Sequence, residues 1–156
     1  MKVEFVNDKL EQYGGKDNQA VILIVDDHPI LRQGLAQLIN HEADLRVCAE
    51  AETADQALEI LEKQCFNLAI VDISLIGTDG IGLTEKIKLR YPDLPVLILT
   101  MHDEVLYAKR AFRAGAKGYL VKRDAAETIV TAVRIMLGGK EYISRSILQK
   151  LSANTV

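Results

Sequence analysis

Polar residues stand directly after runs of apolar residues, at positions where their side chains could do chemistry together. Asp26 and Asp27 follow VILIV, Asp72 follows LAIV, Thr100 follows VLIL, and Lys122 follows GYLV. Each run has the length and apolar character of a buried strand. In an open parallel sheet, ligands bind at the edge formed by the carboxyl ends of the strands. The pattern therefore predicts three carboxylates, a hydroxyl and an ammonium group at one edge.

This set of groups suits metal-assisted phosphoryl transfer. Carboxylates that lie close together repel one another unless a cation sits among them. Mg²⁺ takes oxygen ligands and typically joins one or two protein carboxylates to a phosphate. A carboxylate can attack phosphorus to form an aspartyl phosphate, while metal and ammonium charges neutralise the transferred oxygens. We predict Asp72 as the nucleophile, Lys122 as a phosphoryl-binding group and Thr100 as a hydroxyl that responds to the modification.

Segments with helical spacing of apolar residues separate the strands and must position these side chains. Strand and helix patterns alternate five times, with the second strand in LRVCA. This alternation predicts an α/β fold, a doubly wound five-stranded parallel sheet in the flavodoxin-like order 2-1-3-4-5 with helices on both faces. Its topological switch point lies between the first and third strands, which places Asp26, Asp27 and Asp72 together.

Local signals mark the helix ends and the buried helix faces. The first helix is predicted to begin at Pro29, and the second at Thr53, where Gln56 completes a capping box. The fourth is predicted to begin near Asp103 and to end before Gly115. The first helix is predicted to bury Ile30, Leu31, Leu35, Leu38 and Ile39, and the fifth to bury Ile129, Ala132, Val133 and Met136.

The length and composition of the chain suit one domain. With 156 residues, 49% of them hydrophobic and 26% charged, the chain can bury one sizeable core. We predict an N-terminal arm at 1–19, the α/β domain at 20–139, and a linker or short C-terminal helix at 140–156. The last segment has an apolar stripe of Ile143, Ile147, Leu148 and Leu151.

Charge and hydropathy argue against several classes of partner. The net charge is −3, and no basic run suggests contact with nucleic acid. The longest apolar runs are too short for a membrane span, and acids near the N-terminus do not fit a signal peptide, so we predict a cytoplasmic protein. Cys48 and Cys65 have no metal or redox spacing and are predicted to be structural.

The segments VILIVDDHPILRQGL, VDISLIGTDGIGL, VLILTMHDE and AGAKGYLVKRDA resemble the receiver domain of the NarL/FixJ (LuxR-type) subfamily of response regulators. The resemblance covers roughly residues 20–139. It implies that Asp26 and Asp27 are the acidic pair, with Asp27 a direct Mg²⁺ ligand. It also implies that Asp72 accepts the phosphoryl group, Thr100 is the switch hydroxyl and Lys122 binds phosphate.

The resemblance implies finer roles as well, and the chain departs from the common pattern at two positions. Tyr119 matches the rotating switch aromatic, the backbone carbonyl of Ser74 completes the metal site, and the side chains of Ser74 and His102 tune the lifetime of the phosphoryl group. Ile76 stands where proline is frequent after the acceptor, and Arg123 where proline is frequent after the lysine. Without proline, the peptide bond before Arg123 is predicted to be trans.

Function and partners follow from the same resemblance. It implies a phosphorylation-operated switch, with Mg²⁺-dependent self-phosphorylation and dephosphorylation rather than substrate turnover. The donor is a sensor histidine kinase, and control of transcription would pass through a helix-turn-helix DNA-binding domain that this chain does not contain. Homodimer formation on phosphorylation, through the first and fifth or the fourth and fifth helices, is left open. No membrane partner is predicted.

Other functions fit the residues less well. An aspartyl phosphatase places its nucleophile after the first strand, in a motif of two acids one residue apart that Asp26-Asp27-His28 lacks. A pure interaction module predicts loss of one of the reactive groups, and a flavin or nucleotide binder needs a phosphate loop where this chain has DDHP. Any single acid could merely cap a helix, but capping does not explain all the strand-end positions. His28 and His41 have no ligand spacing and are assigned surface or capping roles.

Overall fold

A computed structural model describes residues 18–154 of the chain. The predicted N-terminal arm falls outside the described residues, apart from its last two positions. The strands are β1 (Ala20–Val25), β2 (Leu45–Ala51), β3 (Leu68–Asp72), β4 (Val96–Thr100), β5 (Gly118–Val121) and β6 (Tyr142–Ile143). The helices are α1 (Pro29–Asn40), α2 (Ala54–Lys63), α3 (Gly80–Arg90), α4 (Val105–Arg113), α5 (Lys122–Leu137) and α6 (Arg145–Asn154).

The strands form one parallel sheet in the order β2-β1-β3-β4-β5-β6. The predicted order 2-1-3-4-5 is confirmed, and β6 adds an unpredicted sixth strand at the edge beside β5. Two residues are too few to show the periodicity of a strand, so this pairing had no signal in the sequence. The β6 pairs join Tyr142 to Gly118 and Ile143 to Tyr119.

Both faces of the sheet are covered, because alternate strand residues point to opposite sides. Leu23 and Val25 belong to a core layer shared with α2, α3 and α4, whereas Ile22 and Ile24 pack in the layer with α1 and α5. The predicted stripe of α5 is confirmed, since all four of its residues are buried. Burial on both sides explains why the central strands read as continuous apolar runs.

The predicted buried stripe of α1 is wrong at two positions. Leu35 and Ile39 are buried, but Ile30 is 88% exposed and Leu38 is 38% exposed. At 3.6 residues per turn, position 30 lies about 140° around the helix from position 35, so it faces away from the sheet. Ala36, which the prediction omitted, is buried.

Predicted helix ends agree with the observed caps. Thr53 accepts a hydrogen bond from the amide of Gln56 at 3.1 Å. Asp79, for which no prediction was made, accepts one from the amide of Gly82 at 2.7 Å and caps α3. Gly115, just after α4, has φ +111°, a left-handed conformation that favours glycine. Across the described residues, the helices are all too short or too polar to serve as a membrane span.

Candidate functional site

Three carboxylates and one imidazole meet at the carboxyl ends of β1 and β3. One oxygen or nitrogen from each of Asp26, Asp27, His28 and Asp72 lies within 4.8 Å of the others. Asp26 and Asp72 are almost fully buried, at 0% and 1% exposed. Oδ2 of Asp26 and Oδ1 of Asp27 are buried and accept no hydrogen bond from the described residues. Such unsatisfied carboxylate oxygens fit a hard divalent cation, because oxygen is the ligand that these ions prefer.

Asp72 is the last residue of β3, and both of its carboxylate oxygens have partners. Oδ1 accepts a hydrogen bond from the amide of Ser74 at 3.1 Å, and Oδ2 lies 2.9 Å from Nζ of Lys122. The same ammonium group is 3.5 Å from Oδ2 of Asp26. Burial raises the pKa of Asp72, the contacts with Lys122 and Ser74 oppose the rise, and the charge of Asp26 adds to it.

Helix α3 follows the loop after β3, and its first residue, Gly80, lies against Asp72. A Cβ atom at Gly80 would overlap the backbone carbonyl of Asp72. Gly80 is the first residue of α3, and its amide donates to the carbonyl of Ile73 at 2.8 Å. Glycine is therefore required for α3 to begin against the acceptor strand.

Arg32 holds the loop that carries the acidic pair. Its Nη1 donates to the backbone carbonyl of Asp26 at 2.6 Å, and its Nε donates to Glu50 at 2.9 Å. The amide of Asp26 in turn donates to the carbonyl of Ala51 at 2.9 Å. The loop is thus tied to the end of β2. Sequence reasoning missed Arg32, because its partners on β2 are distant in the chain.

His28 lies in the site, although sequence reasoning assigned it no role there. Its Nδ1 is 2.8 Å from Oδ1 of Asp26, 3.1 Å from Oδ1 of Asp27 and 3.4 Å from Oδ2 of Asp72. The hydrogen bond with Asp26 raises the pKa of His28, and the charge of Lys122 opposes that rise. Its position directly after the two acids was the only signal in the sequence.

The predicted switch residues lie on the next two strands of the sheet, Thr100 on β4 and Tyr119 on β5. Thr100 is fully buried at the end of β4, and its Oγ1 accepts a hydrogen bond from the amide of His102 at 2.9 Å. The hydroxyl of Tyr119, also fully buried, donates to the carbonyl of the same His102 at 2.9 Å. Burial raises the pKa of Tyr119 to about 12, so its hydroxyl stays protonated at neutral pH. Thr100 and Tyr119 therefore hold one loop from two sides.

The side chain of His102 contacts α4 rather than the acid cluster. Its ring stacks on Tyr107 at a centroid distance of 4.3 Å, and its Nδ1 is 3.5 Å from Glu104. The next residue, Asp103, lies 3.1 Å from both Arg123 and Lys150. These pairs are partly exposed, so each contributes little to stability.

The burial of Asp72 predicts a pH-dependent stability. The pKa of Asp72 is raised from 3.8 in the folded state. The stability that this carboxyl group contributes is therefore present at low pH and is lost as the pH rises through its pKa in the folded protein. Without metal, Asp72→Asn should therefore be more stable than wild type at neutral pH, by about 1–2 kcal/mol. The gain should shrink toward pH 4 and when Mg²⁺ is added. Urea unfolding measures it, with exposed Asp93→Asn as the matched control; equal gains in both variants would contradict the explanation.

Comparison with known proteins agrees with the fold. The family described as the response regulator receiver domain matches residues 22–134, and the chain belongs to this family. Its curated relatives include the transcriptional regulatory protein DegU of Brevibacillus brevis, 32% identical over 86% of this chain and 57% of that protein. The oxygen regulatory protein NreC of Staphylococcus epidermidis is 33% identical over 83% of this chain and 60% of the relative. The chain thus spans about three fifths of the length of these relatives.

Solved structures show the same similarity. A LuxR-family two-component response regulator from an Aurantimonas species is 34% identical, with a TM-score of 0.84, over 87% of this chain and 97% of that one. The isolated receiver domain of RcsB from Salmonella enterica, solved with phosphomimetic BeF3⁻, is 26% identical with a TM-score of 0.79, over 85% of this chain and 98% of that one. The predicted resemblance to LuxR-type receivers is confirmed.

Proposed function

We propose that this domain is a phosphorylation-activated switch of a two-component signalling system, with Asp72 as the phospho-acceptor and Mg²⁺ as the cofactor. One observation carries the proposal. A buried Asp72 lies against Lys122, while Oδ2 of Asp26 and Oδ1 of Asp27 beside it form no hydrogen bond within the described residues, although Lys122 Nζ and His28 Nδ1 lie 3.5 and 3.1 Å from them. A purely structural cluster would supply hydrogen-bond donors to these oxygens, because a buried carboxylate oxygen without a hydrogen bond is costly.

The carboxylates of Asp26, Asp27 and Asp72, with the backbone carbonyl of Ser74, would hold Mg²⁺. When bound, the ion supplies positive charge to the oxygens of the transferred group. An oxygen of Asp72 attacks phosphorus, a new O–P bond forms, and the P–N bond to the donor histidine breaks. The electron pair of that bond returns to the donor imidazole. The ammonium group of Lys122 neutralises charge on a phosphoryl oxygen throughout this step.

The conformational change caused by phosphorylation is proposed to be transmitted through the loop after β4. A phosphoryl group on Asp72 offers an acceptor for the Thr100 hydroxyl, whose oxygen already accepts from the amide of His102. Movement of Thr100 toward phosphate would therefore draw His102 with it. Because the Tyr119 hydroxyl donates to the His102 carbonyl, that bond would change as well, and α4 would follow through the Tyr107 stack.

The partners of this chain are proposed from its relatives. A sensor histidine kinase is the expected phosphoryl donor, and the output is transcription through a DNA-binding domain. Two relatives carry names of transcriptional regulators, and RcsB has been solved as two dimers bound to two parallel DNAs. Dimer formation on phosphorylation and a cytoplasmic location complete the proposal.

Phosphorylation from a small acyl phosphate tests the proposal without the kinase. We expect the intact mass of the wild-type chain to rise by one phosphoryl group when Mg²⁺ is present, and to stay unchanged when EDTA removes the metal. The modification should be labile in alkali, as an acyl phosphate is. Absence of modification, under conditions that modify an established receiver domain, would sink the proposed switch chemistry.

A further inference from the structure

The position of Lys122 depends on the short strand that precedes it. The side chain of Lys122 is only 7% exposed and reaches Oδ2 of Asp72 at 2.9 Å. Lys122 follows Val121, the last residue of β5, and is itself the first residue of α5. The peptide bond to Arg123 is trans, since the described residues contain no cis peptide bond. The contacts that fix the position of Val121 therefore also determine where the side chain of Lys122 starts.

A serine from the C-terminal segment holds Val121. Ser144 is 1% exposed, and its Oγ accepts a hydrogen bond from the amide of Val121 at 2.8 Å. Its own amide donates to the carbonyl of Tyr119 at 2.9 Å. The pairing of β6 stops at Ile143, opposite Tyr119. The Ser144 hydroxyl thus replaces the missing strand partner of Val121, beyond the end of β6.

The hydrogen bond between Val121 and Ser144 also supports Thr100, the predicted switch residue, through the neighbouring strand. Val121 pairs with Thr100 in the register of β4 and β5. Ser144 is anchored in turn, because Ile147 of α6 is fully buried in the core. Residues 142–154 lie beyond the part of the chain that matches the receiver family, which ends at residue 134. The segment is nevertheless built into the edge that carries the phosphoryl-binding lysine.

We propose that Ser144 is a positioning residue for Lys122, and that the C-terminal segment is therefore part of the phosphoryl-transfer site. The inference rests on the proposed function of Asp72. Loss of the Ser144 hydroxyl leaves a buried amide at Val121 without a partner. The peptide would then move to find one, and the ammonium group of Lys122 would move with it. The proposed metal ligands lie at or just after the carboxyl ends of β1 and β3, on other strands than the one that Ser144 supports, so their own positions should not change.

The test compares three variants of the full chain with wild type. Ser144→Ala removes the hydroxyl, Ser144→Thr keeps it, and Ser146→Ala is the matched control. The Ser146 hydroxyl is also buried, but it has no hydrogen-bond partner among the described residues. We expect Ser144→Ala to lower the rate of phosphorylation at saturating acyl phosphate on the order of tenfold, as misplacement of a reacting group does. Ser144→Thr should recover most of that loss, and Ser146→Ala should match wild type.

Two further measurements distinguish a change in the position of Lys122 from a general loss of order in the sheet. The Mg²⁺ concentration at half-maximal rate should not rise in Ser144→Ala, because moving the Lys122 ammonium away from Asp26 and Asp72 does not weaken cation binding, whereas a loosened sheet would raise it. Amide hydrogen exchange at Val121 should accelerate in Ser144→Ala alone. A wild-type rate in Ser144→Ala, or an equal loss in Ser146→Ala, would overturn the role of Ser144 while leaving that of Asp72 intact. If the wild-type chain itself takes no phosphoryl group, the proposed function fails, and this inference fails with it.

Discussion

Asp72→Asn is expected to abolish Mg²⁺-dependent phosphorylation, with a loss on the order of a thousandfold or more. The amide of asparagine is not a nucleophile toward phosphorus, whereas its shape is close to that of the carboxylate it replaces. The fold should therefore be retained, and the amide of Ser74 keeps an acceptor for its 3.1 Å hydrogen bond. Intact mass recorded over time with acyl phosphate and Mg²⁺ measures the loss.

Asp93→Asn is the control for this experiment, because Asp93 is exposed in the segment between α3 and β4. It should be modified at the rate of wild type. Phosphorylation of Asp72→Asn at an undiminished rate would show that another side chain is the acceptor. Peptide mapping would then identify it, and Asp26 and Asp27 would be the first positions to inspect.

Lys122→Gln is expected to lower the phosphorylation rate about a hundredfold at saturating Mg²⁺. The ammonium group lies 2.9 Å from Oδ2 of Asp72, where it can neutralise charge on the transferred oxygens. Glutamine keeps a hydrogen-bond donor and loses the charge, so the variant isolates the electrostatic part of the contact. The measurement is the rate of mass gain over a series of acyl phosphate concentrations.

The same substitution should also affect stability, and in the opposite direction to Asp72→Asn. Without Lys122, the buried Asp26 and Asp72 have no ammonium group beside them, so the metal-free protein should lose about 3 kcal/mol. Mg²⁺ should restore part of that stability. Lys117→Gln is the matched control, because Lys117 is half exposed and lies 4.0 Å from Glu141. Equal rates and equal unfolding free energies in both variants would contradict the role of Lys122.

The finer roles implied by the family resemblance remain predictions. The Ser74 carbonyl as a metal ligand and the Ser74 and His102 side chains as modifiers of phosphoryl lifetime belong to a metal-bound or phosphorylated state. In the present geometry, the amide of Ser74 contacts Asp72 and the ring of His102 stacks on Tyr107. Rates of dephosphorylation in Ser74 and His102 variants would test these roles.

The sequence alone determined the strand order and the position of the acid cluster. Buried parallel strands need continuous apolar runs, and ligands bind at the carboxyl ends of those strands. The residues after each run therefore belong to one edge of the sheet, whatever the details of packing. Asp26, Asp27, Asp72 and Lys122 do meet there. Helix caps such as Thr53 were predictable for a similar reason, since they depend on residues three positions apart.

Only the tertiary structure decided which further residues support that edge. Arg32 contacts Glu50, 18 residues away, and Ser144 contacts Val121, 23 residues away. His28 enters the site only through the turn between β1 and α1, whereas the exposure of Ile30 follows from its angle of about 140° from Leu35 around α1. Periodicity and capping are local properties of a chain, whereas these contacts depend on segments that meet only when the sheet is assembled. No spacing in the sequence could therefore reveal them.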